Sequence, residues 1–103
     1  MKKYLILAIG ILAGPANAED PNKMEVCAEV SSMAEAAAKA RYRGVPMRKI
    51  MEVVQVFDME GVAEAIVLDA YDLPDYHTEG AQDGAVREFG NEIFSICYRG
   101  IPE

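Results

Sequence analysis

The sequence predicts an all-α protein: a small up-down four-helix bundle, closed by one disulfide and preceded by a signal peptide. Three observations carry that reading. Apolar residues recur at helical spacing in four segments parted by short breaks that contain glycine or proline. Two cysteines, Cys27 and Cys97, stand near opposite ends of the helical part. The first 18 residues have the make-up of an export signal.

The signal reads as follows. Lys2 and Lys3 precede an uncharged, mostly aliphatic run from Tyr4 to Ala13, which Gly14 and Pro15 then break. Ala16 and Ala18 put small side chains at the two positions a signal peptidase reads, so cleavage is expected after Ala18. The run falls short of the roughly 20 residues that span a bilayer. No cysteine follows it to accept a lipid, so no stable membrane anchor is expected after cleavage. Residues 1–18 are therefore read as a cleavable signal and residues 19–103 as one helical domain, with the periplasm as the expected location.

An oxidising compartment decides the cysteine chemistry. A CxxC redox motif is absent, and a thiolate metal site needs more cysteines than two. Cys27 and Cys97 are thus expected to bridge, closing a loop across 70 residues.

The helices follow in order. Asp20 can cap and Pro21 can fill the first turn of the first helix, which should end at Gly44 and bury a stripe of Cys27, Val30, Ala34, Ala37, Ala38 and Arg41. Pro46 should open a second helix with Met47, Ile50, Met51, Val54 and Phe57 inward, although the valines of Glu52–Phe57 also suit a strand. After a turn at Asp58–Gly61, a third helix runs from Val62 through Ala65, Ile66 and Ala70 to Leu73, where Pro74 stops it. A loop to Thr78 leads to a fourth helix over 79–99 with Ala85, Phe89, Ile93, Ile96 and Cys97 on its inner face. Gly80, Gly84 and Gly90 weaken this helix, particularly its first half, and leave its continuity near Gly84 open. Short connections favour antiparallel neighbours, and an up-down order brings Cys27 and Cys97 to the same end.

Charge narrows the function classes. With Lys2 and Lys3 removed, eight Lys/Arg face 17 Asp/Glu, a formal charge of −9. Such a surface repels nucleic acid and anionic lipid. Five of the eight cations, Lys39, Arg41, Arg43, Arg48 and Lys49, gather around the first interhelical turn, while Ile50–Val86 contains none. Cations there complement the end of the first helix, and Arg41 can pack its stem on the core with its head on a carboxylate. Lys39, Arg43, Arg48 and Lys49 form the candidate contact surface for an acidic partner.

Catalytic patterns are missing. His77 is the single histidine and has no serine beside it in a recognisable motif. Asp69, Asp72, Asp75 and Glu79 lack the spacing of a calcium loop. Met24, Met33, Met47, Met51 and Met59 could supply thioethers to copper, but Met47 and Met51 alternate with Ile50 and Val54 as core residues do. No phosphate loop, paired metal-binding histidines or nucleophile elbow is present. No enzyme, metal or cofactor is expected.

An export signal, a short helical domain and one bridge between its ends together resemble the small singly bridged helical proteins of the Gram-negative periplasm. Among characterised families the chain looks most like the acid-stress chaperones (HdeA-like). The likeness is one of architecture over residues 19–103; the cysteines lie differently along those chaperones, and no functional residue is carried over. The expected function is non-catalytic binding of a protein or envelope component. The resemblance implies the alternative of an acid-responsive chaperone, and the acidic surface that of an inhibitor or immunity protein against a basic toxin or wall-acting enzyme.

Overall fold

The structure, a computed structural model, describes residues 21–57 and 60–100. The signal residues, Ala16 and Ala18 among them, the Asp20 cap, Asp58 and Met59 lie outside the described residues. Within them are four helices and no strand: α1 (Pro21–Tyr42), α2 (Met47–Val54), α3 (Val62–Tyr71) and α4 (Glu79–Gly100).

Helix α1 buries Cys27, Val30, Ala34, Ala37 and Ala38, the stripe its spacing marked out. It stops at Tyr42, two residues before Gly44. Gly44 takes φ +83°, which only glycine adopts without strain, and this lets the amides of Gly44 and Val45 bond back to the carbonyls of Arg41 and Ala40. Pro46, at φ −62° and ψ 142°, then leads into α2. The valine-rich stretch is helical only to Val54; Gln55–Phe57 turn away, and Phe57 leaves the core with about half its surface exposed.

Two left-handed residues, Glu60 at φ +52° and Gly61 at φ +88°, set the entry to α3. The buried face of α3 is Ala63, Ile66, Val67 and Ala70, one residue round from the expected face; Val62 and Ala65 are exposed. α3 lies against α1 on one side and α2 on the other, which buries Val67 completely. It ends at Tyr71, short of Leu73, with the Asp72 amide bonded to the Leu68 and Asp69 carbonyls.

Helix α4 starts where Thr78 caps it, its Oγ1 accepting the Ala81 amide. It then runs unbroken through Gly80, Gly84 and Gly90, which settles the continuity that the sequence left open. The end of a helix this long is held by tertiary packing, which outweighs the low propensity of three glycines. Its buried residues are Val86, Phe89, Gly90 and Ile93, with Cys97 partly buried; Ile96 is exposed rather than inward.

The helices alternate in direction. Cys27 meets Cys97 with their Cα atoms 5.6 Å apart, and Ser31 Oγ donates to the Gly90 carbonyl at 2.9 Å. Further along, Lys39, Tyr42 and Arg43 face Gln82, Asp83 and Val86, so α1 and α4 run antiparallel. The cross-section is not a square of four equal neighbours: α1 packs against every other helix, whereas α4 packs extensively on α1 alone. Small residues make that pairing close. A Cβ on Gly90 would lie 2.6 Å from Glu35 Cγ, so the Glu35 side chain occupies the space that glycine leaves. The core between the helices is correspondingly fine-grained, with Ala34, Ala37, Ala38, Ala63 and Ala70 beside Val30, Ile66, Val67, Phe89 and Ile93.

Two predictions follow from this pairing. Replacing both cysteines by alanine removes a bridge across 70 residues and should cost about 4 kcal/mol in urea unfolding; unchanged stability would show that the clamp is idle. Gly90→Ala obliges the flexible Glu35 side chain to swing aside, so it should gain less than the helix-propensity difference of about 1 kcal/mol, and should recover more of it in a Glu35→Ala background. The same unfolding experiment on the four proteins reads that difference, and strictly additive effects would contradict the close contact.

Candidate functional site

The two halves of the bundle differ in chemistry. In the half away from the disulfide, the α1–α2 turn is tied to the loop after α3 by three hydrogen bonds. Arg41 Nη2 donates to the Leu73 carbonyl at 2.9 Å, Tyr42 Oη to the Pro74 carbonyl at 2.7 Å, and Tyr71 Oη to the Val45 carbonyl at 2.6 Å. The guanidinium thus meets a carbonyl just past the end of α3, where the helix dipole favours a cation. Arg41 also lies 3.9 Å from the exposed Asp75 carboxylate and 5.3 Å from the centre of the Tyr42 ring, while its buried Nε has no partner.

Lys39, Arg43, Arg48 and Lys49 are all exposed in this half. They do not stand apart as a block of one sign. Lys39 and Arg43 border a shallow depression of about 230 Å³ that Glu79 and Asp83 of α4 also line. Asp72, Asp75 and the exposed His77 follow in the adjoining loop. Sequence distance hid this mixing: the anions belong to residues 72–83 and reach the cations only through the fold. Asp69, Asp72, Asp75 and Glu79 do not converge, and among the described residues no three His, Cys, Asp or Glu side chains come together as metal ligands would. Met33, Met47 and Met51 pack against the core, and Met24 is exposed.

The disulfide half is apolar outside as well as inside. Met24 and Val26 at the start of α1, Val53, Val56 and Phe57 at the end of α2, and Ile96 and Tyr98 at the end of α4 are all exposed. Helix lengths explain the excess. At 1.5 Å per residue, α1 and α4 with their 22 residues extend about 33 Å, whereas α2 and α3 with 8 and 10 extend about 12 and 15 Å. The short pair is held level with the far end of α1 by the three hydrogen bonds, so it runs out before α1 begins. What is left uncovered is a depression of about 580 Å³ lined by Val26, Ala28, Glu29, Val30, Ser32, Met33 and Phe57.

Next to it, the bridge anchors an aromatic corner. Cys27 is fully buried, and Lys23, also buried, sets its ammonium 4.3 Å from the centre of the Tyr98 ring. Phe94 and Tyr98 stack with centroids 5.7 Å apart. Spacing alone places Lys23 in line with Cys27, Val30 and Ala34, a signal that the stripe extends one turn earlier than the apolar residues reveal.

Fold and surface together define a small disulfide-closed helical protein, with acids and bases mixed at one end and an open, largely apolar depression towards the other. None of the described helices is long and apolar enough to cross a membrane. No protein family, curated protein or solved structure matches the chain.

The tyrosines give a pH prediction. Burial raises the pKa of both Tyr42 and Tyr71 above the ordinary value of 10.0, against the neighbouring Arg41 cation, which lowers it. A raised pKa means that the folded chain holds the phenolic proton more tightly than the unfolded one, so this stability is present below pH 10 and lost as pH climbs through the folded values. Urea unfolding should show a decline beginning near pH 10 that is shallower in Tyr42→Phe/Tyr71→Phe. At neutral pH each single variant should lose about 1 kcal/mol for its missing hydrogen bond. An alkaline decline equally steep in the double variant would refute the assignment.

Proposed function

We propose that this chain is exported to the periplasm, loses residues 1–18, and acts there as a non-catalytic interaction protein that binds a protein or envelope component. One observation supports this most: the depression of about 580 Å³ lined largely by apolar side chains of α1 and by Phe57, left open on a bundle that a disulfide closes. Soluble monomers seldom leave large apolar patches in contact with water, and such patches mark places where another molecule sits. The basic residues Lys39, Arg43, Arg48 and Lys49 offer a second contact, for a partner that carries acid groups to the opposite end.

A particular form of this reading is an inhibitor or immunity protein that covers a basic toxin or wall-acting enzyme. Its support is Glu29, a carboxylate in the lining of the apolar depression, on a chain of formal charge −9 after cleavage. The acid-responsive chaperone would use the same apolar surface once the carboxylates are protonated.

The test is photo-crosslinking in the periplasm. A benzophenone side chain at Phe57 should give a discrete higher-mass adduct, while the same group at Glu88, exposed on α4, should give none. The recovered protein should begin at Glu19 by mass. Adducts that are alike from both positions, or none from Phe57, would argue against a binding role, and a retained leader would contradict export by cleavage.

A further inference from the structure

The open side of α1 carries more information than its apolar content. Val26, Val30 and Met33 recur at helical spacing along it, with Phe57 standing beside them from the turn after α2. Glu29 lies in the same lining, and Glu25 precedes it by one helical turn on the exposed side. Glu52, before the apolar end of α2, and Glu60, before α3, are exposed as well. Neither cation of this end lines the depression: Lys23 is buried with its ammonium over Tyr98, and Arg99 lies at the end of α4. An apolar strip with Glu29 in its lining and Glu25 one turn before it asks for a ligand of complementary pattern. The open section of α1, about 12 residues or 18 Å long, suits roughly three turns of helix.

We propose that the depression beside Phe57 is a docking groove for a cationic amphipathic helix of a partner protein, its apolar stripe on Val26, Val30, Met33 and Phe57 and its lysines or arginines on Glu25 and Glu29. Charge decides among the occupants. A second copy docked groove to groove would set Glu25 and Glu29 against their own counterparts, and an anionic lipid surface would meet the same carboxylates. A helix with basic flanks gains attraction at the rim and burial at the centre, the arrangement of helix-in-groove recognition.

The inference rests on the binding role proposed above and is tested apart from it. The probe is an 18-residue helical peptide of leucine, alanine and lysine with its lysines flanking one leucine face; the control has glutamate in place of lysine. Protein exported with its own leader and then purified should bind the lysine peptide at least about tenfold more tightly at low salt, with the preference shrinking as salt rises. Glu25→Gln/Glu29→Gln should abolish most of that preference, whereas Asp72→Asn/Asp75→Asn at the other end should leave it intact. Phe57→Ser, at an exposed position that carries no part of the core, should weaken the lysine peptide by about fivefold or more. Backbone NMR shifts should move along Val26–Met33.

Equal affinity for the two peptides, shifts confined to Glu79–Asp83, binding to phosphatidylglycerol vesicles, or a concentration-dependent dimer that the peptide cannot displace would each overturn the groove assignment. A Phe57 adduct in the periplasm with no lysine preference would refute the cationic helix and leave the binding role standing. Lysine preference at Glu25 and Glu29 with no adduct would do the reverse.

Discussion

The antiparallel contact of α1 with α4 is the constraint on which the remaining structure depends. It is built from small side chains: Ala34, Ala37 and Ala38 at consecutive inward positions of α1, and Gly90 under Glu35 on α4. Close approach leaves little volume for apolar mass, so each buried side chain removes only modest area from water. The Cys27–Cys97 bridge offsets that shortage by restricting the unfolded chain. Beside it the Lys23 ammonium over Tyr98 and the Ser31 bond to Gly90 fix how the two helices are rotated about their axes. Clamp and close packing are complementary, because a small-residue seam has little resistance of its own to sliding.

The surface follows from the same constraint. Two long helices are joined by a short pair that must begin at the end of α1 and finish at the start of α4. Arg41, Tyr42 and Tyr71 pin this short pair to one end by bonding to carbonyls of the two turns. Whatever apolar residues lie on the uncovered part of α1 then face water. The disulfide is therefore needed at the end where the bundle has only two helices, and the exposed apolar side chains are there for the same geometric reason. The open apolar surface arises from a mismatch in length between the two helix pairs.

Much of this was legible in the residues. Cys27 and Cys97, together with four periodic segments, were enough to specify helices and a bridge, and Ala34, Ala37 and Ala38 fell in line with Cys27 and Val30 on the inward stripe. The face of α3 was harder, since almost every residue from Val62 to Leu68 is apolar and two registers fit equally well. Glu64, Asp69 and Asp72 resolve it: the observed buried face is the one opposite their common direction. Phe57 and Ile96 misled because spacing treats every apolar residue as a core residue, while burial depends on whether a neighbouring helix extends far enough to cover it. The basic cluster was visible, but the acids from 79–83 that share its end were not, because pairing across α1 and α4 is a tertiary fact. In α4, three glycines left the helix's continuity open, and packing against α1 settles it.

The central claim is that the clamped α1–α4 pair is the stable frame and α2–α3 an attachment to it. Native-state amide hydrogen exchange measures this directly, residue by residue. The account requires that buried amides of α1 and α4, from Val30 to Ala38 and from Val86 to Ile93, exchange last and together, with α2 opening first and α3 between. Slowest exchange in α2 and α3, or separate exchange of α1 and α4, would contradict it.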